Sequence, residues 1–114
     1  MNLTDVQMAR ECRGFALDKK ATDPLVLDLS RLTGPASYFL ICSAESEPQL
    51  KAIANSILTG MKEKHGLRPA GHDGTTGSQW IILDYGSLLV HIMHIEKRRY
   101  YNLEHLWRDA RVVK

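Results

Sequence analysis

The sequence is short of cysteine and of long apolar runs. Two cysteines, Cys12 and Cys42, stand far apart, which gives neither a disulfide framework nor a zinc-binding spacing, so we predict two buried, reduced thiols. No apolar run approaches the roughly 18 residues of a membrane span. The first residues, from Met1 onward, resemble neither a signal peptide nor an Arg-rich transit peptide. These absences predict a soluble, cytoplasmic protein with no membrane contact.

A strong excess of either charge is missing too. The 114 residues carry 15 Lys and Arg against 13 Asp and Glu, a net charge of +2, which does not by itself indicate a nucleic-acid-binding protein. Hydrophobic residues make up 44% and charged residues 25%, as in an ordinary globular protein. We predict one domain over residues 1–109 and a short, frayed tail over residues 110–114.

Sequence motifs for metal and phosphate chemistry are absent as well. Asp28 and Asp84 lie in apolar strand patterns, but neither has a second carboxylate two residues away, as metal-dependent nucleotidyl-transfer sites often have. The stretch over residues 71–78 carries three glycines but leads into a strand, whereas a phosphate cradle normally leads into a helix. We therefore expect a mobile polar loop there, no catalytic residue and no cofactor.

His91 and His94 have an H-x-x-H spacing, which can chelate a metal ion on a helix. Their neighbours, however, are typical of a strand, and positions three apart on a strand point to opposite faces. We therefore predict no metal site here, and we expect histidines with hydrogen-bonded ring nitrogens in the sheet.

The residues that are present form a clear pattern of helices and strands. Thr4 with Gln7 makes a capping box before one helical stretch, and Ser46 and Gly66 bound the stronger one. The predicted helices cover residues 4–20, 46–65 and 97–107 (the last as one or two short turns), and the predicted strands cover 25–29, 38–42, a weak one at 67–70 and a hairpin over 79–94. This order predicts a single-domain α/β fold with a mixed β-sheet and flanking helices.

Aromatic residues concentrate near the C-terminus, where five of the eight lie in the last 35 residues. Large aromatic side chains with a polar group are enriched at protein interfaces, so this concentration weakly favours a protein-binding surface. We expect Tyr100, Leu103 and Trp107 to share one helix face. We also expect an ion pair between Glu104 and Arg108, which are four residues apart on a helical stretch.

Five segments together resemble one known family. They read L-D-L at 27–29, Y-F-L-I-C-S at 38–43, W-I-I-L-D-Y-G at 80–86, V-H-I-M-H at 90–94 and R-Y-Y-N-L-E-H-L-W at 99–107. This combination resembles the ribosomal silencing factor, or Iojap-like, family over residues 4–108.

The resemblance implies a nucleotidyltransferase-like fold without the catalytic carboxylate pair, and a protein that is not an enzyme. It implies binding to the large ribosomal subunit through ribosomal protein fourteen, which sterically blocks joining of the small subunit and represses translation under nutrient limitation. Organelle relatives assist large-subunit assembly. Two alternatives remain from the residues themselves: a magnesium-dependent enzyme using Asp28 and Asp84, and a ribosomal RNA-binding assembly factor using the cations at 97–99. We expect any RNA contact to be secondary.

The C-terminal half supplies the residues that we expect at the partner-binding surface, with Trp80 foremost. The predicted partner-binding residues are Trp80, Asp84, Tyr85, Met93, Tyr100 and Trp107. We expect His91 and Arg99 to brace the hairpin against the last helix. The apolar hairpin could also pair two copies of the free protein, a hypothesis that gel filtration showing only monomer would remove.

The chain departs from the family pattern at two places. Ser37, before the second strand, and Ser87, in the hairpin turn, stand where the family commonly has an acid. Both departures remove a negative charge, so they bear on partner contacts rather than on the fold.

Overall fold

The computed structural model describes residues 3–114. Residues 1 and 2, the start of the predicted domain and of the N-terminus for which we predicted no signal peptide, lie outside the described part. The described chain contains both helices and strands. They are, in order, α1 (Asp5–Leu17), β1 (Thr22–Asp28), β2 (Tyr38–Ala44), α2 (Glu47–His65), β3 (Gly71–Thr75), β4 (Trp80–Asp84), β5 (Leu88–His94), α3 (Ile95–Tyr101), α4 (Leu103–Leu106) and β6 (Arg111–Val113). Within residues 3–114, no helix has the length and apolar character to cross a membrane.

The strands form one mixed sheet in the order β3-β4-β5-β2-β1-β6. β2 and β5 run parallel at its centre, and the other neighbouring pairs are antiparallel. Helices α1 and α2 pack on one face, which we call the helix-covered face, and the C-terminal segment packs on the other, which we call the second face. This architecture confirms the predicted α/β fold with a mixed sheet and flanking helices.

The two long helices begin where the sequence predicts. Thr4 Oγ1 accepts the Gln7 N–H at 3.2 Å while Gln7 Oε1 accepts the Thr4 N–H at 2.9 Å, which completes the predicted capping box of α1. Ser46 caps α2, and Gly66 ends it with a φ of +67°, which glycine adopts without steric cost. Helix α1 ends at Leu17, three residues before its predicted end.

The helix-covered face holds the larger core. Apolar side chains of α2, including Ile53, Ile57 and Met61, are fully buried against the sheet. Cys12 and Cys42 lie in this core as free, buried cysteines, as predicted. Burial raises the pKa of each thiol to about 12, which suppresses formation of the reactive thiolate.

The first correction concerns the glycine-rich segment before the hairpin. Residues Gly71–Thr75, predicted as a mobile loop, form β3 and pair antiparallel with β4, whereas residues 67–70, predicted as a weak strand, are not part of the sheet. β3 is an edge strand whose side chains are mostly exposed, and backbone pairing with β4 holds it in place. Its sequence therefore lacks the alternation of apolar and polar residues that predicts a half-buried strand.

The second correction concerns the C-terminal tail. Residues Arg111–Val113 form β6, which pairs antiparallel with β1 at the edge of the sheet. Helix α1 also holds this segment, since Arg13 Nη1 donates to the Val113 carbonyl at 3.1 Å and Arg10 Nε donates to the Lys114 carbonyl at 3.2 Å. The expectation of a frayed tail is therefore wrong, because its partners lie about 100 residues away in the chain.

The C-terminal helical turns form two short helices, as predicted, with Asn102 between them in the left-handed region at a φ of +48°. This break separates side chains that were expected to share one face. Leu103 and Trp107 pack on the second face of the sheet, whereas Tyr100 is 82% exposed.

Two neighbouring valines test the contribution of the tail. Val113 is 9% exposed and packs in the core, so Val113→Ala is expected to lower the free energy of unfolding by roughly 1–3 kcal/mol. Val112 is 53% exposed, so the matched change Val112→Ala is expected to alter it by less than about 0.5 kcal/mol. Urea denaturation measures both. Small, equal effects would mean that burial of the Val113 side chain adds nothing to stability.

Candidate functional site

The second face of the sheet is only half covered. Over β1 and β2 the C-terminal segment covers buried residues with Leu103 and Trp107, and Leu32 from the loop after β1 packs on the same cluster. Over β3, β4 and β5, several side chains of the second face stay partly or fully exposed. Five neighbouring ones form a surface that we call the open face: Asp73, Trp80, Ile82, Asp84 and Leu89. Two shallow cavities of about 290 and 280 Å³ are lined in part by these residues.

Strand alternation and register bring these five side chains together. Trp80, Ile82 and Asp84 alternate along β4 with Ile81 and Leu83, which are buried under the helices. Across the sheet, the paired positions are Asp73 with Ile82 and Asp84 with Leu89. The open face therefore combines an apolar centre with two carboxylates.

Trp80 is held in place by His91. The indole Nε1 donates a hydrogen bond to His91 Nδ1 at 3.2 Å, and the Phe39 ring meets the imidazole edge-on, with 4.6 Å between ring centroids. His91 is 6% exposed, and burial lowers its pKa to about 4, so its Nδ1 is an unprotonated acceptor near pH 7. His91 thus braces Trp80 against β2, and not the hairpin against the last helix as predicted.

His94, the other histidine of the H-x-x-H spacing, caps α3. Its Nδ1 accepts the Glu96 N–H at 3.2 Å. Each histidine therefore makes one hydrogen bond through Nδ1, but His91 Nε2 is buried without a partner in the described chain, so the expected hydrogen bonding of the ring nitrogens holds only in part. In the chain from residue 3 to residue 114, no group of three or more His, Cys, Asp or Glu side chains converges on a point where a metal ion could bind.

Four of the six predicted partner-binding residues lie outside the open face: Met93, Tyr85, Tyr100 and Trp107. Met93 faces the second side of the sheet but is fully buried, so it supports Trp80 from beneath and cannot touch a partner in this conformation. Tyr85 packs against the helix-covered core, where burial raises its pKa and its hydroxyl lies buried without a hydrogen-bond partner in the described chain. As the residue after Asp84, it turns to the opposite side of the sheet.

The remaining aromatic residues form a row from the core to the solvent. The Trp80 and Tyr101 rings lie 4.9 Å apart, and the Tyr101 and Tyr100 rings lie 5.1 Å apart. Trp107 belongs to the covered half, where it meets Phe39 edge-on at 5.8 Å. The sequence reasoning missed Tyr101 at this site.

Ile82 and Leu89 were also missed, although a signal for Ile82 was present. Ile82 lies two residues from both Trp80 and Asp84, so the period of a strand already assigns it to their face. Leu89 joins them only through pairing with Asp84, which the hairpin register determines.

Arg98, rather than the predicted Arg99, anchors the last helices to the sheet. Arg98 Nη1 donates to the Thr22 carbonyl at 3.1 Å and to Ser43 Oγ at 2.9 Å, and its Nε donates to Glu104 Oε2 at 3.2 Å. Glu104 therefore pairs with Arg98 instead of Arg108. The Arg98 side chain is 12% exposed, whereas Arg99 points to solvent.

Asp28 and Asp84, the carboxylates of the enzyme alternative, are far apart. Strands β5 and β2 separate β4 from β1, so three inter-strand spacings of about 4.8 Å put the two strands about 14 Å apart. Asp28 accepts from Ser30 and pairs with Arg111, and these bonds lower its pKa. Asp84 accepts the Gly86 N–H at 2.7 Å. Because Mg²⁺ holds its ligands at about 2.1 Å, these two carboxylates cannot share one ion.

Ser37 and Ser87, where the resemblance led us to expect acids, have defined roles. Ser87 Oγ donates to Asp5 Oδ1 at 2.8 Å, which ties the hairpin turn to the first residue of α1. A carboxylate at position 87 would face Asp5 with like charge, so serine suits this chain. Ser37 acts through its backbone, since its carbonyl accepts the Leu29 N–H at 2.7 Å.

A family model described as "Ribosomal silencing factor during starvation" matches residues 3–114. The chain belongs to the ribosomal silencing factor family. It is 40% identical to the ribosomal silencing factor of Bacillus subtilis over 93 residues, which cover 82% of this chain and 78% of the relative. It is also 34% identical to the chloroplastic protein Iojap of Zea mays over 111 residues, which cover 91% of this chain and 48% of that protein.

Solved structures agree with the family assignment. A crystal structure of a Chromobacterium violaceum protein superposes with a TM-score of 0.86 at 30% identity, covering 92% of this chain and 87% of that one. A second, from Bacillus halodurans, superposes with a TM-score of 0.77 at 32% identity, covering 96% and 95%. The resemblance seen in the sequence and the fold class are thereby confirmed. The bacterial relatives carry the name of a silencing factor, which describes a regulator rather than an enzyme.

The buried His91 makes stability depend on pH. Its pKa is lowered from 6.5 to about 4 in the folded protein, so the unfolded chain binds more protons between those values. The free energy of unfolding is therefore expected to fall as pH drops from 6.5 towards 4, by up to about 3 kcal/mol from this group. His91→Gln keeps an acceptor for Trp80 but cannot titrate. Urea denaturation from pH 7 to pH 4 should give a shallower decline for the variant, and parallel curves would contradict this account.

Proposed function

We propose that this ribosomal silencing factor binds the large ribosomal subunit by docking its open face on ribosomal protein fourteen. Bound there, it would sterically block joining of the small subunit and so repress translation under nutrient limitation. The observation that carries the proposal is the half-covered second face, which leaves an apolar surface anchored by Trp80 next to two acids. The action is regulatory, takes place in the cytoplasm, and requires no cofactor or catalytic residue.

The chemistry of the open face suits a basic protein partner. Trp80, Ile82 and Leu89 supply apolar area, and tryptophan is a frequent energetic anchor at interfaces because it buries a large surface and keeps a polar atom. His91 holds the indole in one orientation, which reduces the entropy that docking would cost. Ribosomal proteins are generally basic, so Asp73 and Asp84 would steer the approach. A rigid interface of standard size buries on the order of 800 Å² on each partner.

To block subunit joining sterically, the bound domain only has to be large enough to keep the two ribosomal subunits apart. The domain measures 35 × 34 × 23 Å, so even its shortest dimension would hold two ribosomal surfaces far beyond contact distance. Pairing of two free copies through the same open face would compete with ribosome binding, because one surface cannot hold both partners.

A positive charge introduced at the centre of the open face tests the docking site. Ile82→Lys places a cation where a basic partner would lie, and a half-buried lysine can extend its ammonium to solvent without unfolding the sheet. We expect affinity for purified large subunits to fall at least about tenfold, which corresponds to about 1.4 kcal/mol. Co-sedimentation and a subunit-joining assay measure binding and function, and the melting temperature checks the fold.

Asn55→Lys is the matched control, since it adds the same charge on the exposed side of α2, across the sheet from the open face. It should bind and block joining like the unmodified protein. Equal losses in both variants would remove the open face as the docking site. An unmodified protein that stays in the supernatant while subunits join normally would overturn the proposed function itself.

The two acids can be neutralised without changing their hydrogen bonds. Asp73 Oδ1 accepts the Gly74 N–H and Asp84 Oδ1 accepts the Gly86 N–H, and an asparagine oxygen can do the same. The double variant Asp73→Asn/Asp84→Asn is expected to associate with isolated ribosomal protein fourteen several-fold more slowly at low salt and to show a weaker salt dependence. Dissociation should change little. Surface plasmon resonance measures both rates.

Glu47→Gln/Glu63→Gln removes the same amount of charge from exposed positions on α2 and serves as the control. If it slows association as much as the asparagine pair does, net charge rather than the open face steers the encounter.

A further inference from the structure

The outer side of α3 carries an aromatic ring that the fold does not explain. Tyr100 is 82% exposed, and α3 contains no buried residue. Its ring meets the Tyr101 ring edge-on, with 5.1 Å between the ring centroids. An aromatic side chain in this position adds nothing to the core. If Tyr100 has a role, that role is a contact with another molecule.

The charges around Tyr100 differ in sign from those of the open face. Lys97 and Arg99 flank it on α3, with Glu96 as the acid on the same helix, and Arg99 is exposed. Lys97 Nζ lies 6.0 Å from the centre of the Tyr101 ring, at the border with the open face. The third cation, Arg98, is turned inward to Ser43 and Glu104 and is not available to a partner.

A cationic helix side with an exposed aromatic ring fits a nucleic acid better than a basic protein. Phosphates pair with lysine and arginine, and unstacked bases stack on exposed aromatic rings. A basic ribosomal protein would be repelled by the same cations. The surface of a large ribosomal subunit offers both kinds of partner next to each other, because its basic proteins are surrounded by ribosomal RNA.

We propose that Lys97, Arg99 and Tyr100 form a second contact surface that binds ribosomal RNA next to the protein docking site, with a base stacked on Tyr100. This inference rests on the proposed function, because the open face brings the domain to the ribosome. The two surfaces are continuous through the contact between Trp80 and Tyr101, so one docked orientation serves both. The RNA contact adds affinity and fixes the orientation of the domain on the subunit.

Two binding partners separate the RNA contact from the protein contact: purified large subunits and isolated ribosomal protein fourteen. Tyr100→Ala is expected to weaken binding to subunits by roughly five- to a hundredfold, the range for one stacked base. It should leave binding to the isolated protein unchanged. Tyr100→Phe keeps the ring and should retain subunit binding. The melting temperature should stay constant in both variants, because the side chain is exposed.

The cations are tested by salt dependence. Lys97→Gln/Arg99→Gln should reduce the slope of the logarithm of the subunit affinity against the logarithm of the salt concentration by up to about 1.5. Binding to isolated ribosomal protein fourteen should keep its slope. Lys51→Gln/Lys62→Gln, which removes two exposed cations from α2, is the matched control and should change neither.

Three results would overturn the RNA contact. Equal losses on both partners would assign Tyr100 to the protein contact, and no loss on either partner would leave Tyr100 without a role in binding. If Lys51→Gln/Lys62→Gln changed the salt slope of subunit binding as much as Lys97→Gln/Arg99→Gln does, the effect would be due to net charge. Failure of the unmodified protein to bind either partner is a different outcome, since it removes the proposed function and the RNA contact with it.

Discussion

The parallel pairing of β2 with β5 is the constraint on which the rest of the structure depends. Parallel neighbours need a long crossover, and the helix α2 lies in that crossover and covers one face of the sheet. The register then assigns Phe39 and Leu89 to the second face, together with Ile41 and His91. Paired residues in neighbouring strands lie on the same face of the sheet, so the register of β4 with β5 places Trp80 on the same face as Met93.

The candidate site exists because the chain covers the second face incompletely. The C-terminal segment covers β1 and β2, where Arg98 ties it to Thr22 and Ser43. Over β4 the Tyr101 ring reaches Trp80, but Ile82 and Asp84 stay partly exposed. An apolar surface that the chain itself does not cover is a recurrent property of binding faces. Next to it, the outer side of α3 carries cations and Tyr100, so two surfaces of different chemistry meet at Tyr101.

Much of the fold was predictable because its signals are local. The capping box at Thr4, the caps at Ser46 and Gly66, and the hairpin over 79–94 all depend on residues a few positions apart. The candidate site was only partly predictable. Trp80 and Asp84 do lie on the open face, but Met93 is buried beneath it and Tyr85 lies on the other side of the sheet.

The sequence by itself determined the family, the N-terminal caps of the two long helices and the apolar strands, since these depend on residue type and spacing. Only the tertiary structure decided which aromatic residues are exposed, that β6 completes the sheet, and that Arg98 rather than Arg99 anchors the last helices. Burial and hydrogen bonding across the sheet join residues up to 100 positions apart, and a local pattern contains no information on which distant strand will be the neighbour.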